Sequence, residues 1–80
     1  MKKRYILIIS GKVQGVWFRK WAMQEAEKLN IKVLAQNLPT NQVKIDVEGE
    51  MEVLWQFIEA CKIGPEAAEV TGIIITEEQL

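Results

Sequence analysis

The sequence predicts an α+β fold in which two helices pack on one face of an antiparallel sheet. Four stretches carry the alternating apolar residues or short apolar runs that are typical of strands. Two further stretches carry apolar residues at the period of a helix, so the predicted order is β-α-β-β-α-β. Because the chain has only 80 residues, we expect residues 1–80 to fold as a single domain.

The first predicted strand covers residues 4–10 and is apolar on both faces. Alternate side chains of a strand share a face, which here gives two apolar sets, Tyr5, Leu7 and Ile9 on one face and Ile6 and Ile8 on the other. This pattern is typical of a central strand that is covered on both sides. Residues 11–17 contain two glycines and predict a loop.

The first helix is predicted to begin at Phe18, where the apolar spacing changes to a helical period. Its predicted buried face consists of Phe18, Trp21, Ala22, Ala26 and Leu29. Asn30 follows, and asparagine is suited to the left-handed residue that ends a helix.

A hairpin is predicted after the first helix. Residues 31–37 and 42–48 predict its two strands, with a turn between them at 38–41. Pro39 suits the second position of a type I turn, and Asn41 suits the left-handed position that follows. The later strand alternates, with Val43, Ile45 and Val47 predicted to face inward and Lys44, Asp46 and Glu48 outward.

The second helix is predicted to open at Gly49-Glu50 and to end at Gly64-Pro65. A last strand is predicted over residues 68–76 from its apolar side chains, Val70, Ile73, Ile74 and Ile75. The complete order is that of a ferredoxin-like βαββαβ sandwich.

Two scarcities in the composition exclude several kinds of chemistry. The chain has no histidine and one cysteine, Cys61, which excludes a disulfide framework, a Cys/His zinc site and a histidine base. Cys61 lies at helical spacing from Leu54 and Ile58, so we expect a small buried hydrophobic residue, not a nucleophile. One free thiol without a targeting signal predicts a cytoplasmic protein, and no apolar stretch approaches the roughly 18 residues of a membrane span.

Charge is balanced overall but divided along the chain. The net charge is −1, which argues against a protein that binds bulk polyanions. Residues 1–44 carry nine Lys/Arg and two Glu, a net of +7, whereas residues 45–80 carry one Lys and nine Asp/Glu, a net of −8. Such a division is compatible with a basic nucleic-acid arm, with an acidic tail, or with an anion site built from the first half.

The glycine-containing loop before the first helix is a candidate anion site. Glycines let backbone N–H groups converge on one point, and a helix N-terminus adds partial positive charge there. Arg19 falls in the first turn, where a cation is unfavourable to the helix unless an anion is bound, and its planar fork suits a phosphate. Spacing alone leaves a second interpretation open, in which the loop only joins two elements and Arg19 is solvated. The loop matches neither a Walker A motif nor a dinucleotide fingerprint.

The loop and the hairpin carry a resemblance to a known family. The stretch from Ile9 to Arg19 resembles the first signature of the acylphosphatase family, which fixes an apolar residue, a glycine, Val-Gln-Gly-Val, a phenylalanine and an arginine. Every fixed position agrees. A second signature is matched in its spacing at Ala35-Gln36-Asn37, Asn41, Val43 and Gly49. The resemblance covers nearly the whole chain, which looks like a small free-standing member of the family.

Three features depart from the family pattern. Val33-Leu34 replaces a glycine-aromatic pair, and Asn41 replaces the glycine of the hairpin. Family members usually run on to a short fifth strand, and residues 76–80 show none, so the chain is short at its C-terminus. We therefore expect one sheet edge to be less covered.

The resemblance implies hydrolysis of the carboxyl–phosphate bond of an acyl phosphate. Arg19 would bind the phosphoryl oxygens, and Asn37 would position the attacking water. Backbone N–H groups of the phosphate-binding loop would assist, namely those of Gln14, Gly15, Val16, Trp17, Phe18 and Arg19. No metal or other cofactor is implied. The expected ligands are a small-molecule acyl phosphate and inorganic phosphate, and we expect a monomer with no nucleic-acid or membrane partner.

Two alternatives remain at this point. The first is a ferredoxin-like module that binds phosphate or nucleic acid without catalysis. The second is a domain of a larger enzyme that handles carbamoyl phosphate, as in the hydrogenase-maturation carbamoyltransferases. Among the three tryptophans, we expect Trp17 to be the most exposed.

Overall fold

The computed structural model describes residues 1–80 and has the predicted order of elements. The strands are β1 (Lys2–Lys12), β2 (Lys32–Asn37), β3 (Val43–Glu50) and β4 (Glu69–Glu78). The helices are α1 (Phe18–Lys28) and α2 (Met51–Ile63). The ferredoxin-like α+β class is confirmed.

The sheet has four strands in the order β2-β3-β1-β4, and every neighbouring pair is antiparallel. β1 is therefore central, as its apolar sequence predicts. Leu7 in the middle of β1 pairs with Ile45 of β3 on one side and with Ile75 of β4 on the other. β2 and β4 form the two edges of the sheet.

Both helices pack on the same face of the sheet, where they enclose the core. Each helix connects two parallel strands across an intervening antiparallel one, and because such crossovers share one hand, both helices lie on one face. The fifteen buried residues are all apolar, and no polar or charged residue is fully buried. The helices contribute Phe18, Ala22 and Ala26 from α1 and Leu54, Phe57, Ile58 and Cys61 from α2.

The opposite face of the sheet carries no helix, and the prediction that β1 is covered on both faces is wrong. Ile6 and Ile8 are only half-buried, while Tyr5, Leu7 and Ile9 are buried under the helices. The apolar residues on the open face are shielded by cross-strand neighbours alone, such as Ile74 beside Ile8.

β1 is longer than predicted, and the loop is correspondingly shorter. Gly11 and Lys12 still pair with β4 after a register shift at Ser10/Gly11, so the loop begins at Val13 rather than at residue 11. Gly11 has φ +120°, and a Cβ there would collide with the carbonyl oxygen of Glu69. The first of the two predicted loop glycines therefore serves a β-bulge.

The start of α2 also differs from the prediction. Gly49 and Glu50 belong to β3, where they pair with Lys3 and Lys2, and the helix begins at Met51. Pairing with the long N-terminal part of β1 holds these two residues in the strand, and no local pattern shows this.

The predicted turns are confirmed. Asn30 has φ 56° after α1, and Asn41 has φ 68° in the hairpin, both in the left-handed region. Glu77 and Glu78 extend β4 beyond its predicted end at residue 76 and pair with β1, and no fifth strand forms in the described chain. Neither helix is long and apolar enough to cross a membrane.

Candidate active site

The loop between β1 and α1 has an unusual backbone. Gly15 has φ +73° and Trp17 has φ 64°, so two residues of one short loop are left-handed. Glycine adopts this conformation freely, but for tryptophan it costs on the order of 1–3 kcal/mol and is found mainly where function requires it. The strain therefore marks the loop as a candidate functional segment.

The N-terminus of α1 is uncapped and positively charged. Trp17 is the N-cap residue and makes no side-chain cap, and the first turn has no acidic residue. The backbone N–H groups of Gln14, Gly15, Val16 and Trp17 donate to no protein acceptor. These open donors, with the uncapped first turn that follows, form a suitable place for an anion.

Gln14 holds this loop against the β2–β3 hairpin. Its Nε2 group donates to the carbonyl oxygens of Leu38 at 2.8 Å and Gln42 at 2.9 Å. Leu38 directly follows Asn37, so these bonds fix the loop relative to the end of β2. Gln14 was predicted in the phosphate-binding loop, and its side chain has this bridging role there.

Gln42 is a supporting residue that the sequence did not single out. Its Nε2 group donates to Ser10 Oγ at 2.8 Å, which ties the hairpin to the end of β1. Its Oε1 atom accepts a hydrogen bond from Thr40 at 2.7 Å. A glutamine after a turn carries no local signal of such contacts, since its partners lie far away in sequence.

One cavity of about 660 Å³ unites the loop, the outer side of α1 and the end of β2. It contains both predicted catalytic residues. The lining residues are Val13, Gly15, Trp17, Phe18, Arg19, Lys20, Met23, Gln24, Glu27, Ala35 and Asn37. Of the predicted loop residues, Gln14 and Val16 do not line the cavity, because Gln14 reaches the hairpin and Val16 is buried in the core.

Arg19 is the arginine that is free to bind a ligand. It forms no ion pair or hydrogen bond within the protein. The other arginine, Arg4, lies on the open face of the sheet, where its Nη2 is 2.7 Å from Glu48 Oε1. That hydrogen bond lowers the pKa of Glu48. Trp17 is 76% exposed beside the cavity, which confirms the prediction for this tryptophan.

The only thiol of the chain is remote from ligand chemistry. Cys61 is fully buried in α2, and its burial raises the pKa of the thiol to about 12. Because the thiolate is the nucleophile, Cys61 is unreactive in the folded protein. No group of His, Cys, Asp and Glu side chains is arranged to hold a metal ion.

Comparison with known proteins identifies the family. The model of the Acylphosphatase family matches residues 5–80. The chain belongs to the acylphosphatase family. The acylphosphatase of Anaeromyxobacter dehalogenans is 40% identical over 67 residues, which cover 84% of this chain and 72% of that protein. Its relatives in this family are enzymes by name.

Solved acylphosphatase structures share the fold closely. The crystal structure of the acylphosphatase from Bacillus subtilis superposes with a TM-score of 0.93 at 36% identity, covering all of this chain and 88% of that one. Full-length HypF, crystallised in a phosphate- and nucleotide-bound form, contains a similar region with a TM-score of 0.91 at 30% identity. That match covers all of this chain but 11% of HypF, so the acylphosphatase fold also occurs within a much larger protein.

Proposed function

We propose that this protein hydrolyses acyl phosphates to a carboxylate and inorganic phosphate, with Arg19 and the loop holding the phosphoryl group and Asn37 positioning the water. The observation that carries the proposal is a single cavity lined by Arg19, by Asn37 and by two loop residues whose N–H groups are open, Gly15 and Trp17. Family membership supports the reaction, and the geometry supports the roles of these residues.

The chemistry suits a site without histidine. Water attacks the phosphorus as the bond from phosphorus to the acyl oxygen breaks, and the bonding electron pair leaves on the carboxylate. Both protons of the water remain on the released phosphate, which leaves as dihydrogen phosphate and then equilibrates with the solvent. Because a carboxylate leaves readily, no strong base or covalent nucleophile is needed, and positioning with charge stabilisation supplies the acceleration.

Each group in the cavity has a distinct task in this mechanism. The Arg19 guanidinium donates two parallel hydrogen bonds to phosphoryl oxygens, and the loop N–H groups donate to the remaining charge. The Asn37 side-chain carbonyl accepts a hydrogen bond from the water, so that an oxygen lone pair faces phosphorus. Gln14 is a positioning residue, since it joins the loop to the residue after Asn37.

Benzoyl phosphate turnover tests the activity directly. The purified protein is expected to release phosphate and benzoate from benzoyl phosphate in metal-free buffer, and EDTA is expected to leave the rate unchanged. Absence of turnover would overturn the proposal. Inhibition by EDTA that added metal reverses would overturn the metal-independent mechanism.

The residue roles are tested by matched pairs of variants. Arg19→Gln and Asn37→Ala are each expected to lower kcat/KM for benzoyl phosphate by about 100-fold or more, since each removes a group that stabilises or aligns the reacting atoms. The control for Arg19→Gln is Arg4→Gln, on the open face of the sheet. The control for Asn37→Ala is Gln36→Ala, which lies directly before Asn37 and does not line the cavity. All four melting temperatures are expected to stay within about 4 °C of wild type, because the changes lie at the surface. Full activity in Arg19→Gln or Asn37→Ala would refute the role of that residue.

One alternative stays in view, a domain of a larger enzyme that handles carbamoyl phosphate, because the same fold occurs within full-length HypF. Measuring turnover of carbamoyl phosphate and benzoyl phosphate on the same preparation separates the two. The nucleic-acid alternative has less support, since the outward residues of β3 are Lys44, Asp46 and Glu48 with no aromatic side chain for base stacking.

A further inference from the structure

We propose that the cavity beside Arg19 binds the acyl part of the substrate along α1, and that Met23 makes the protein prefer bulky apolar acyl groups. This inference rests on the proposed function and names the class of acyl phosphate that the site takes. The sequence alone shows no place for the acyl group, because the recognised motif concerns only the phosphate.

The cavity extends well beyond the place where a phosphoryl group would sit. Lys20, Met23, Gln24 and Glu27 line it and are spaced at i, i+3, i+4 and i+7, which is one face of a helix. At 1.5 Å per residue this stripe covers roughly 10 Å, starting next to Arg19. Ala35 of β2 lies on the other wall. A groove of two helical turns therefore leads away from the phosphate end.

The middle of the groove is apolar at a position that folding does not require. Met23 is 57% exposed and does not belong to the core or to the residues packed against it. Trp17 stands at the entrance, and the ammonium of Lys20 lies 5.6 Å from its ring centroid. Exposed large apolar side chains that line a cavity mark a ligand surface, and methionine adapts its shape to an apolar ligand.

The phosphate end and the apolar wall together set the orientation of the substrate. The anionic phosphoryl group belongs at Arg19, because this cation of the cavity has no ion pair, hydrogen bond or aromatic contact in the protein, whereas the Lys20 ammonium lies over the Trp17 ring. The acyl carbon is bonded to the phosphate through one oxygen, so the acyl group enters the groove within one helical turn of Arg19. Met23, one turn further along α1, is the first exposed large apolar side chain that such a group meets beyond Trp17.

The test compares an apolar with a minimal acyl group. kcat/KM is measured for benzoyl phosphate and for acetyl phosphate on wild type, Met23→Gln, Met23→Leu and a control, Ile63→Gln, which changes another exposed apolar residue at the end of α2, outside the cavity. Met23→Gln is expected to lower kcat/KM for benzoyl phosphate about tenfold, mainly through KM, and to leave acetyl phosphate within about twofold. Met23→Leu and Ile63→Gln are expected to keep the wild-type ratio.

The outcomes separate this inference from the function on which it rests. If wild type hydrolyses both compounds and Met23→Gln leaves their ratio unchanged, the acyl groove is refuted and the hydrolase function stands. An equal loss with both compounds would also refute it, since Met23 would then support the site as a whole. If wild type hydrolyses neither compound, the proposed function and the inference fail together.

Discussion

The two helices lie side by side on the same sheet and both carry a lysine in the last turn, yet their first turns are charged in opposite ways. α2 has an acidic residue, Glu52, in its first turn and a basic residue, Lys62, in its last turn, which is the arrangement that the helix dipole favours. α1 has no acidic residue in its first turn and carries Arg19 and Lys20 there. The favourable first-turn charge belongs to α2, which does not line the cavity, and the unfavourable one belongs to α1, which does.

The helices also differ in what they do with their apolar residues. α2 buries four side chains, and even its cysteine is part of the core. α1 buries three, two of which are alanines, and leaves Met23 exposed in the cavity. The difference teaches that α2 supplies stability whereas α1 gives up some local stability to build a ligand site. Variants in the two helices should then affect different measurements.

The largest expected effect is the loss of stability in Phe57→Ala. Phe57 is fully buried in α2, and removing its ring should lower the free energy of unfolding by about 3–5 kcal/mol through lost burial and a residual cavity. Urea denaturation measures this. A loss below about 1 kcal/mol would contradict the structural role that we assign to α2.

A milder variant keeps this comparison measurable if Phe57→Ala fails to fold. Ile58→Val, one residue further along and also fully buried, should cost about 0.5–1.5 kcal/mol. It should leave kcat/KM for benzoyl phosphate unchanged, because Ile58 does not line the cavity.

Gly15→Ala is expected to lower stability less than Phe57→Ala does, but to weaken phosphate binding. Gly15 has φ +73° and its added Cβ would meet no atom within 4 Å, so the cost is conformational and on the order of 1–2 kcal/mol. Relaxation of the strain would reorient the loop N–H groups, so binding of inorganic phosphate should weaken. Isothermal titration calorimetry measures phosphate binding, and thermal melting measures stability.

Gly72→Ala is the matched control for Gly15→Ala. Gly72 in β4 also has open space around its added Cβ but lacks the positive φ, so both stability and phosphate binding should be near wild type. Equal effects of the two substitutions would show that the left-handed backbone of the loop is unimportant.

The elements that the sequence predicts well are those whose pattern is local. The alternation in β3, the helical spacing after Phe18 and the left-handed asparagines, Asn30 and Asn41, are all confirmed. The errors arise from long-range pairing. Gly11 continues β1 only because β4 lies beside it, and Glu50 stays in β3 only because it pairs with Lys2. Ile6 and Ile8 have no helix packed on them, because both helices pack on the other face of the sheet. The local sequence of β1 does not show which face the helices cover.

The site was predictable to a similar extent. Arg19 and Asn37 come from motifs that resemble a family, and the structure brings them to one cavity. Gln42 could not be found in this way, since its value lies in a hydrogen bond to Ser10, 32 positions away. Met23 could not be found either. At the sequence level it is one more methionine on an amphipathic helix, and only the packing shows that it faces a cavity instead of the core.

The smallest expected effect tests the opposite charges of the two first helical turns directly. Lys20→Glu places an acid in the first turn of α1, and Glu52→Lys places a base in the first turn of α2. The helix dipole should make Lys20→Glu stabilising and Glu52→Lys destabilising, each by about 0.3–1 kcal/mol, or a few degrees in Tm. Since Lys20 lines the cavity and Glu52 does not, only Lys20→Glu should weaken phosphate binding. The two variants thus move stability in opposite directions, while binding changes in one of them. If Lys20→Glu instead lowered Tm in low salt, the cations of α1 would be stabilising the free helix, and their presence would no longer argue for an anion at its N-terminus.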